Sequence, residues 1–377
     1  MELLRIGLCL SIIFFDMNQS AAQKFNLLIG TYTKNSSSEG IYVYEFDAAS
    51  GEAVYKNQAA AVNPSYITIN KKTVYTVNEA DTIEGSGLSA FAYDQASGTL
   101  KLLSSVPAEG GAPCYVVTDK ACRYAIAANY GGGNFSVFPI LKNGALGKAV
   151  QVVQHHGSSI NKERQDKPHV HSTVFSPDEK YLFVCDLGTD KIMVYRYNPF
   201  NPEQPFSAAA PPFASTELGA GPRHIIFHPD KKTAYVIEEM SAKITGFAYQ
   251  DGQLKAFQTI SLTADDYTER NGAAAIKILP DGRFLYGSNR GDANEITIFS
   301  IDPETGRLAS IGRQSTLGKG PRDFSIDPSG NYLLAANQNS DNIIIFKRDK
   351  TTGFLTDTGR RIHVGKPVCL VFSTMAD

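Results

Sequence analysis

Six residues before each of four prolines (Pro177, Pro229, Pro280 and Pro328) the sequence carries His171, Arg223, Ala274 and Arg322. Ten residues after them it carries Leu187, Glu239, Arg290 and Gln338. The positions recur while the side chains change, which is how a site grafted on a repeated frame reads. These types suit acid–base and anion chemistry. An imidazole titrates near neutrality and can take a proton from water, as can a carboxylate. Guanidinium groups can hold a carboxylate, a phosphate or a developing oxyanion. Each residue also has a plain structural reading: a histidine opening a strand often only satisfies its hydrogen bonds, and arginines tie strand ends to neighbouring acids. Three arginines and one glutamate on a single rim are harder to explain that way, because like charges in an enclosed place are costly unless an anion offsets them.

Other candidates carry less. His169 lies two residues before His171, on the same side of an extended strand, but no third and fourth ligand with convincing spacing accompanies the pair, so no metal is expected. "NYGGGN", opening at Asn129, resembles a phosphate loop, yet no helix follows it and it reads as a turn near the same rim. His155 and His156 fall in a connecting loop and are expected to be solvated. Glu238 matches Asp186, Asn289 and Asn337 in the repeat and reads as a structural cap beside the more variable Glu239. There is no G-x-S-x-G nucleophile elbow.

The elements that position these residues repeat along the chain. "HSTVFSPDEKYLFVCDLG", "RHIIFHPDKKTAYVIEEM", "AAIKILPDGRFLYGSNRG" and "RDFSIDPSGNYLLAANQN" share one plan: apolar run, turn with proline, apolar run, polar residue. Weaker copies are "NPSYITINKKTVYTVNEA" and "APCYVVTDKACRYAIAANY". A third strand such as "KITGFAY" or "NIIIFKR" and a fourth, less regular one follow, giving about fifty residues per unit, the spacing of propeller blades. The final "KPVCLVF" is half a unit, and "FNLLIGTYT" with "GIYVYEFD" near the start supplies the rest. The expected fold is therefore all-β: a seven-bladed β-propeller of four-stranded antiparallel blades, closed by N- and C-terminal strands sharing one blade. In a hairpin the start of the first strand and the end of the second share an edge, so the counted residues should ring one mouth of the central channel. The Pro-rich "NPFNPEQPFSAAAPPF" (198–213) is expected to be a loop, because proline cannot continue a sheet ladder.

Composition agrees with this class. Among 377 residues there are 18 Tyr, 21 Phe, 32 Gly and no Trp, and 36 basic residues nearly balance 38 acidic ones. Nothing in that balance marks a nucleic-acid or anionic-membrane partner. "MELLR", the apolar "IGLCLSIIFF" and the small residues of "SAAQ" read as a secretory signal over 1–22, leaving one domain over 23–377 and no stable membrane association after cleavage. Cys114, Cys122, Cys185 and Cys369 form no C-x-x-C pair and read as buried strand residues.

The segments "HSTVFSPD", "GPRHIIFHPDKKTAYVIEEM", "AAAIKILPDGRFLYGSNRGD" and "GPRDFSIDPSGNYLLAANQ" resemble the seven-bladed propeller lactonase family. That family includes bacterial 6-phosphogluconolactonases and the fungal enzyme that cyclises 3-carboxy-cis,cis-muconate. The resemblance spans roughly residues 25–374 and implies a catalytic set of His171, Arg223, Glu239 and Arg290. Arg322 and Gln338 match positions beside the channel. With His169 and Asn129 they are the expected substrate contacts. The implied function is hydrolysis of a sugar δ-lactone, 6-phosphogluconolactone or a relative, with no cofactor. The alternatives are a muconate-type cycloisomerase and a non-catalytic propeller that binds a carbohydrate or a protein. The family's pentose-phosphate enzymes act in the cytoplasm, whereas the signal reads as export to the periplasm or the medium, so the substrate stays open.

Overall fold

The second strand of each unit, such as Tyr181–Asp186 (YLFVCD) or Tyr332–Asn337 (YLLAAN), is apolar at nearly every position and buried at all of them. A strand of that pattern must be covered on both faces. The computed structural model, which describes residues 23–373, achieves this by standing seven sheets around a ring. Twenty-eight strands form seven antiparallel sheets of four, with no helix among the described residues. The expected signal, 1–22, lies outside the described residues.

The innermost strands are Ile67–Asn70, Pro113–Thr118, Val170–Phe175, Pro222–Phe227, Ala273–Ile278, Pro321–Ile326 and Pro367–Ser373. Each packs against the innermost strand of the next sheet, and the circuit returns on itself. Closure is made by Pro367–Ser373 pairing with Lys24–Thr31, Leu28 opposite Val371 and Ile29 opposite Leu370. Lys24–Thr31 then carries the two remaining strands of that blade, Gly40–Asp47 and Glu52–Ala60.

The core lies between blades. Phe46 and Ile29 of the closing blade pack against Tyr332, Leu334 and Ile345 of its neighbour, and Tyr235 and Ile237 pack against Leu285 and Phe299. Tyrosine hydroxyls reinforce the same seams. Tyr75, Tyr235 and Tyr286 donate to the carbonyls of Gly144, Gly306 and Gly353, at 3.1, 2.5 and 2.8 Å, and Tyr332 donates to Ala49 O at 3.2 Å. Each bond joins one blade to the turn between the two outer strands of the next. At Gly252, φ is 82°, and a Cβ would sit 2.6 Å from the Tyr181 ring, so both the backbone and the close approach require glycine.

Three expectations need correction. Part of the Pro-rich segment is a strand: Phe206–Ser215 is the outermost strand of its blade. Its pairing passes from Ala208 opposite Tyr195 to Phe213 opposite Met193, so Pro211 and Pro212 fall in the irregular stretch where ladder bonds are interrupted, on an edge that needs no second partner. His155 is buried, not solvated: its Nδ1 lies 2.9 Å from Asp186 and its Nε2 3.0 Å from the Tyr195 hydroxyl. Cys114, Cys185 and Cys369 are buried strand residues as read, but Cys122 is only half-buried, in a turn with φ of 57°.

Candidate functional site

Six of the seven innermost strands begin with the same irregularity, in which a residue drops out of the ladder with the second strand. The residues concerned are Cys114, His171, Arg223, Ala274 with Ala275, Arg322 and Val368. Such a bulge re-aims the extra side chain, here at the mouth of the channel. The recurring spacing of six before the proline is thus the spacing from bulge to turn. The second ring of positions follows the last residue of each second strand: Tyr32, Glu79, Tyr130, Leu187, Glu239, Arg290 and Gln338. Glu238 and Asp186, one residue earlier, are caps. Glu238 accepts from Ser241 and Thr245, and Asp186 accepts the backbone N–H of His169.

Glu239 is the hub. Its Oε2 lies 3.0 Å from Arg223 Nε and 2.9 Å from Arg290 Nη2, and its Oε1 2.8 Å from Arg164 Nη2. Burial alone would raise its pKa, but Arg290, Arg223 and the other cations around it hold it well below the carboxylate range. Glu239 is therefore an anion that organises guanidiniums, and a poor proton acceptor.

His171 is the opposite case. It is buried, with Nε2 3.8 Å from Glu239 Oε2 and Nδ1 3.7 Å from the sulfur of Cys114. Burial and then Arg223 push its pKa well below the histidine value, against the pull of Glu239 and with a further push from Arg322. The ring is neutral at physiological pH, with one nitrogen unprotonated, and of the two groups it is the one whose ordinary value lies nearer neutrality. The Cys114 thiol beside it is driven up to about 12 by burial and is no thiolate nucleophile.

The arginines differ in how far they are committed. Arg223 is 2% exposed, donates to Glu239 and to Ala274 O, and burial with its neighbouring arginines pushes its pKa down to about 10. Arg290 is partly spent on Glu239 and the carbonyls of Gly272 and Ala273. Arg322 makes no hydrogen bond among the described residues. It lies over the Tyr32 ring, 5.4 Å from the centroid, with Nη2 4.0 Å from Glu79. Arg322 and Gln338 line a cavity of about 700 Å³ together with Tyr32 and Glu79.

The structure therefore gathers His171, Arg223, Glu239, Arg290, Arg322 and Gln338 at one mouth. Two other candidates are placed differently. Asn129 is fully buried inside its blade, its amide spent on Ala108 O, Asn134 and Ser136, the same capping role that Asn337 fills with Thr316 O and Asn342. His169 is stacked on Tyr130 with Nδ1 3.0 Å from the Tyr130 carbonyl and Nε2 3.6 Å from Asp166, and reaches His171 only through the Tyr130 ring, which packs edge-on against it.

Three participants escaped the sequence reading. Glu79 occupies in its blade the position of Glu239, but its unit turns through Asn70, Lys71 and Lys72 and offers no proline to count from. Tyr32 sits in the split blade, where the frame is broken between the chain's two ends. Arg164 comes from the connecting segment before Val170, and Gln165 pins that segment by donating to Leu187 O and Asp190, both at 2.8 Å. In all, four guanidiniums (Arg164, Arg223, Arg290, Arg322) face two carboxylates (Glu79, Glu239), a positive excess suited to an anion. The far mouth, on the side of the proline turns, is different: a cavity of about 430 Å³ with Tyr66, Tyr115, His224 and Lys277 in its lining.

Comparison with known proteins is consistent in length and frame. The family described as "Lactonase, 7-bladed beta-propeller" matches residues 26–372. The chain is 37% identical over 349 residues to the 6-phosphogluconolactonase of Bacillus subtilis, covering 91% of this chain and 97% of that one. It is 37% identical over 336 residues to the 6-phosphogluconolactonase of Formosa agariphila, covering 87% and 94%. The solved structure of a periplasmic gluconolactonase from Pseudomonas aeruginosa superposes with a TM-score of 0.90 at 40% identity, over 93% of this chain and all of that one.

Proposed function

The chain belongs to the seven-bladed β-propeller lactonase family and is a lactone hydrolase; from that premise we propose that its substrate is a sugar δ-lactone, bound at the arginine-rich mouth and opened there to the aldonate. The observation that carries this reading is the pairing of a neutral, buried imidazole with guanidiniums that still have donors to offer. His171 takes a proton from water as the water oxygen bonds to the lactone carbonyl carbon. The carbonyl electron pair moves onto oxygen, where Arg290 and Arg322 stabilise it. When the intermediate collapses, the ring C–O bond breaks and the departing ring oxygen takes the proton back from the imidazolium. The product carboxylate is an anion, as the positive excess of the mouth favours. Glu239 holds Arg223, Arg290 and Arg164 in register and takes no proton.

A 6-phosphate is compatible with the charge of the mouth, and the relatives named 6-phosphogluconolactonase favour it. The likeness to a periplasmic gluconolactonase and the expected signal favour a sugar without phosphate, acting after export. The test is hydrolysis of freshly prepared 6-phosphogluconolactone and of gluconolactone by the purified chain. Turnover of at least one above the spontaneous rate is expected, with kcat falling about 10² to 10⁴-fold in His171→Ala. Full activity in that variant would remove His171 as the base, and turnover of a muconate in place of either lactone would move the chain to the cycloisomerase branch. Export is read separately: protein recovered from the producing cells should begin near Gln23, and an intact Met1 would refute it.

A further inference from the structure

The two carboxylates of the mouth stand in blades nearly opposite one another and are engaged differently. Glu239 has both oxygens occupied by guanidiniums. Glu79 receives the Tyr32 hydroxyl at 2.9 Å and the Ser65 hydroxyl on Oε2 alone, with Arg322 further off at 4.0 Å. Its Oε1 meets no donor among the described residues, although the side chain is only 19% exposed. Burial pushes the Tyr32 phenol up, so Tyr32 stays a donor to Oε2 and leaves Oε1 for something else.

The backbone behind Glu79 is rigidly held. Asn63 accepts the N–H groups of Thr33 and Lys34 at 2.8 and 3.0 Å, donates its amide to Glu79 O at 2.8 Å, and receives the Glu79 N–H on its own carbonyl at 3.1 Å. This cradle faces the cavity of about 700 Å³, room for a sugar ring. Among the polar groups of this wall are the open Glu79 oxygen, the Arg322 guanidinium, which donates no hydrogen bond among the described residues, and the Gln338 amide. A carboxylate oxygen accepts and never donates when ionised, so it repels an anion and suits a hydroxyl.

We propose that Glu79, seated with Tyr32, Arg322 and Gln338, is a hydroxyl-reading subsite that selects polyhydroxylated lactones over lactones with bare rings. The proposal rests on the lactonase reading and deepens it. Oε1 accepts a hydrogen bond from a ring hydroxyl of the substrate, while Arg322 and Gln338 donate to neighbouring oxygens. A ring without hydroxyls, once seated over that oxygen, strips it of water and offers nothing in return, which is where discrimination of this kind is large.

The experiment compares kcat/KM for glucono-1,5-lactone and for δ-valerolactone, which has the same ring and carbonyl but no hydroxyl. Glu79→Ala is expected to lower the value for gluconolactone about 10- to 100-fold more than that for δ-valerolactone. Glu79→Gln, which keeps an acceptor without the charge, should fall between Glu79→Ala and the unaltered enzyme. Equal losses on both substrates, or none on either, overturn the proposal. Urea unfolding midpoints of both variants guard against a folding defect. Should the unaltered enzyme turn over neither lactone, the lactonase reading fails. The subsite is then judged by calorimetry, gluconate against 5-hydroxypentanoate, where a selective loss of gluconate binding in Glu79→Ala upholds it and an equal change refutes it.

Discussion

His171 and Glu239 lie 3.8 Å apart, yet their surroundings drive them to opposite tasks. The carboxylate is fixed as an anion by Arg290 and Arg223, and the imidazole is kept neutral by burial and by Arg223. A base works deprotonated, so a lowered pKa extends activity to lower pH. The acid limb of kcat/KM should inflect below about 6.5, the ordinary histidine value. Arg322 contributes to that lowering, so Arg322→Gln should move the inflection up as well as reducing the rate. An acid limb at or above 6.5 in the unaltered enzyme would exclude His171 as the base. At this scale the sequence was legible wherever a proline supplied an origin for counting: His171, Arg223, Glu239, Arg290, Arg322 and Gln338 all come from that arithmetic. Glu79 was hidden by a turn without proline, and Arg164 by a segment that belongs to no repeat. Asn129 was misplaced although the clue was present, since it aligns with the capping Asn337, and both amides donate to a carbonyl of the preceding connection and to an asparagine five residues on.

Strands and bulges decide where these groups point. The bulge opening the innermost strands turns a repeated β-hairpin into a holder for variable side chains, and it is invisible to periodicity because one extra residue looks like ordinary strand. Hydrophobic runs announced the second strands correctly, since a blade interior is apolar on both faces. The edge strand Phe206–Ser215 was illegible for the converse reason: at a sheet edge, prolines in an interrupted ladder cost little. Between elements, Tyr286 joins its blade to Gly353 of the next and also receives Arg348 Nε at 2.8 Å, all of it buried. Tyr286→Phe removes the hydroxyl and strands a buried guanidinium donor. It should cost about 1 to 3 kcal/mol in urea unfolding while leaving lactone turnover near that of the unaltered enzyme. A change within the error of the midpoint would mean that these seams hold by apolar packing alone.

For the whole molecule, the ring depends on one junction that is not a hairpin. Lys24–Thr31 finds its inner neighbour only in Pro367–Ser373, and the same strand covers the flank of Ile67–Asn70, where the Ile67 N–H reaches the Cys369 sulfur across 302 residues of sequence. Ending the chain before Pro367 would bare the inner edge of the closing blade, with Leu27, Leu28 and Ile29 uncovered. Such an edge templates association. The truncated protein should scatter light on concentration and unfold well below the full chain by circular dichroism. A truncated form that stayed monodisperse with an unchanged melting curve would show that closure is ornamental.

The joining of the two ends also imposes an order in time. The first strand to be synthesised waits for nearly the last, because no other segment completes its sheet. Six blades can assemble from neighbours in sequence, as each is delivered, whereas the seventh remains a three-stranded sheet with an open inner edge until Pro367–Ser373 has been made. The cavity at the channel mouth, whose wall includes Tyr32 of that blade and Lys366 just before its last strand, is therefore complete only once that strand is in place. The lock is assembled before the keyhole, and a polypeptide grown past Arg322 but short of Pro367 carries every arginine of its site on a ring that has not yet shut.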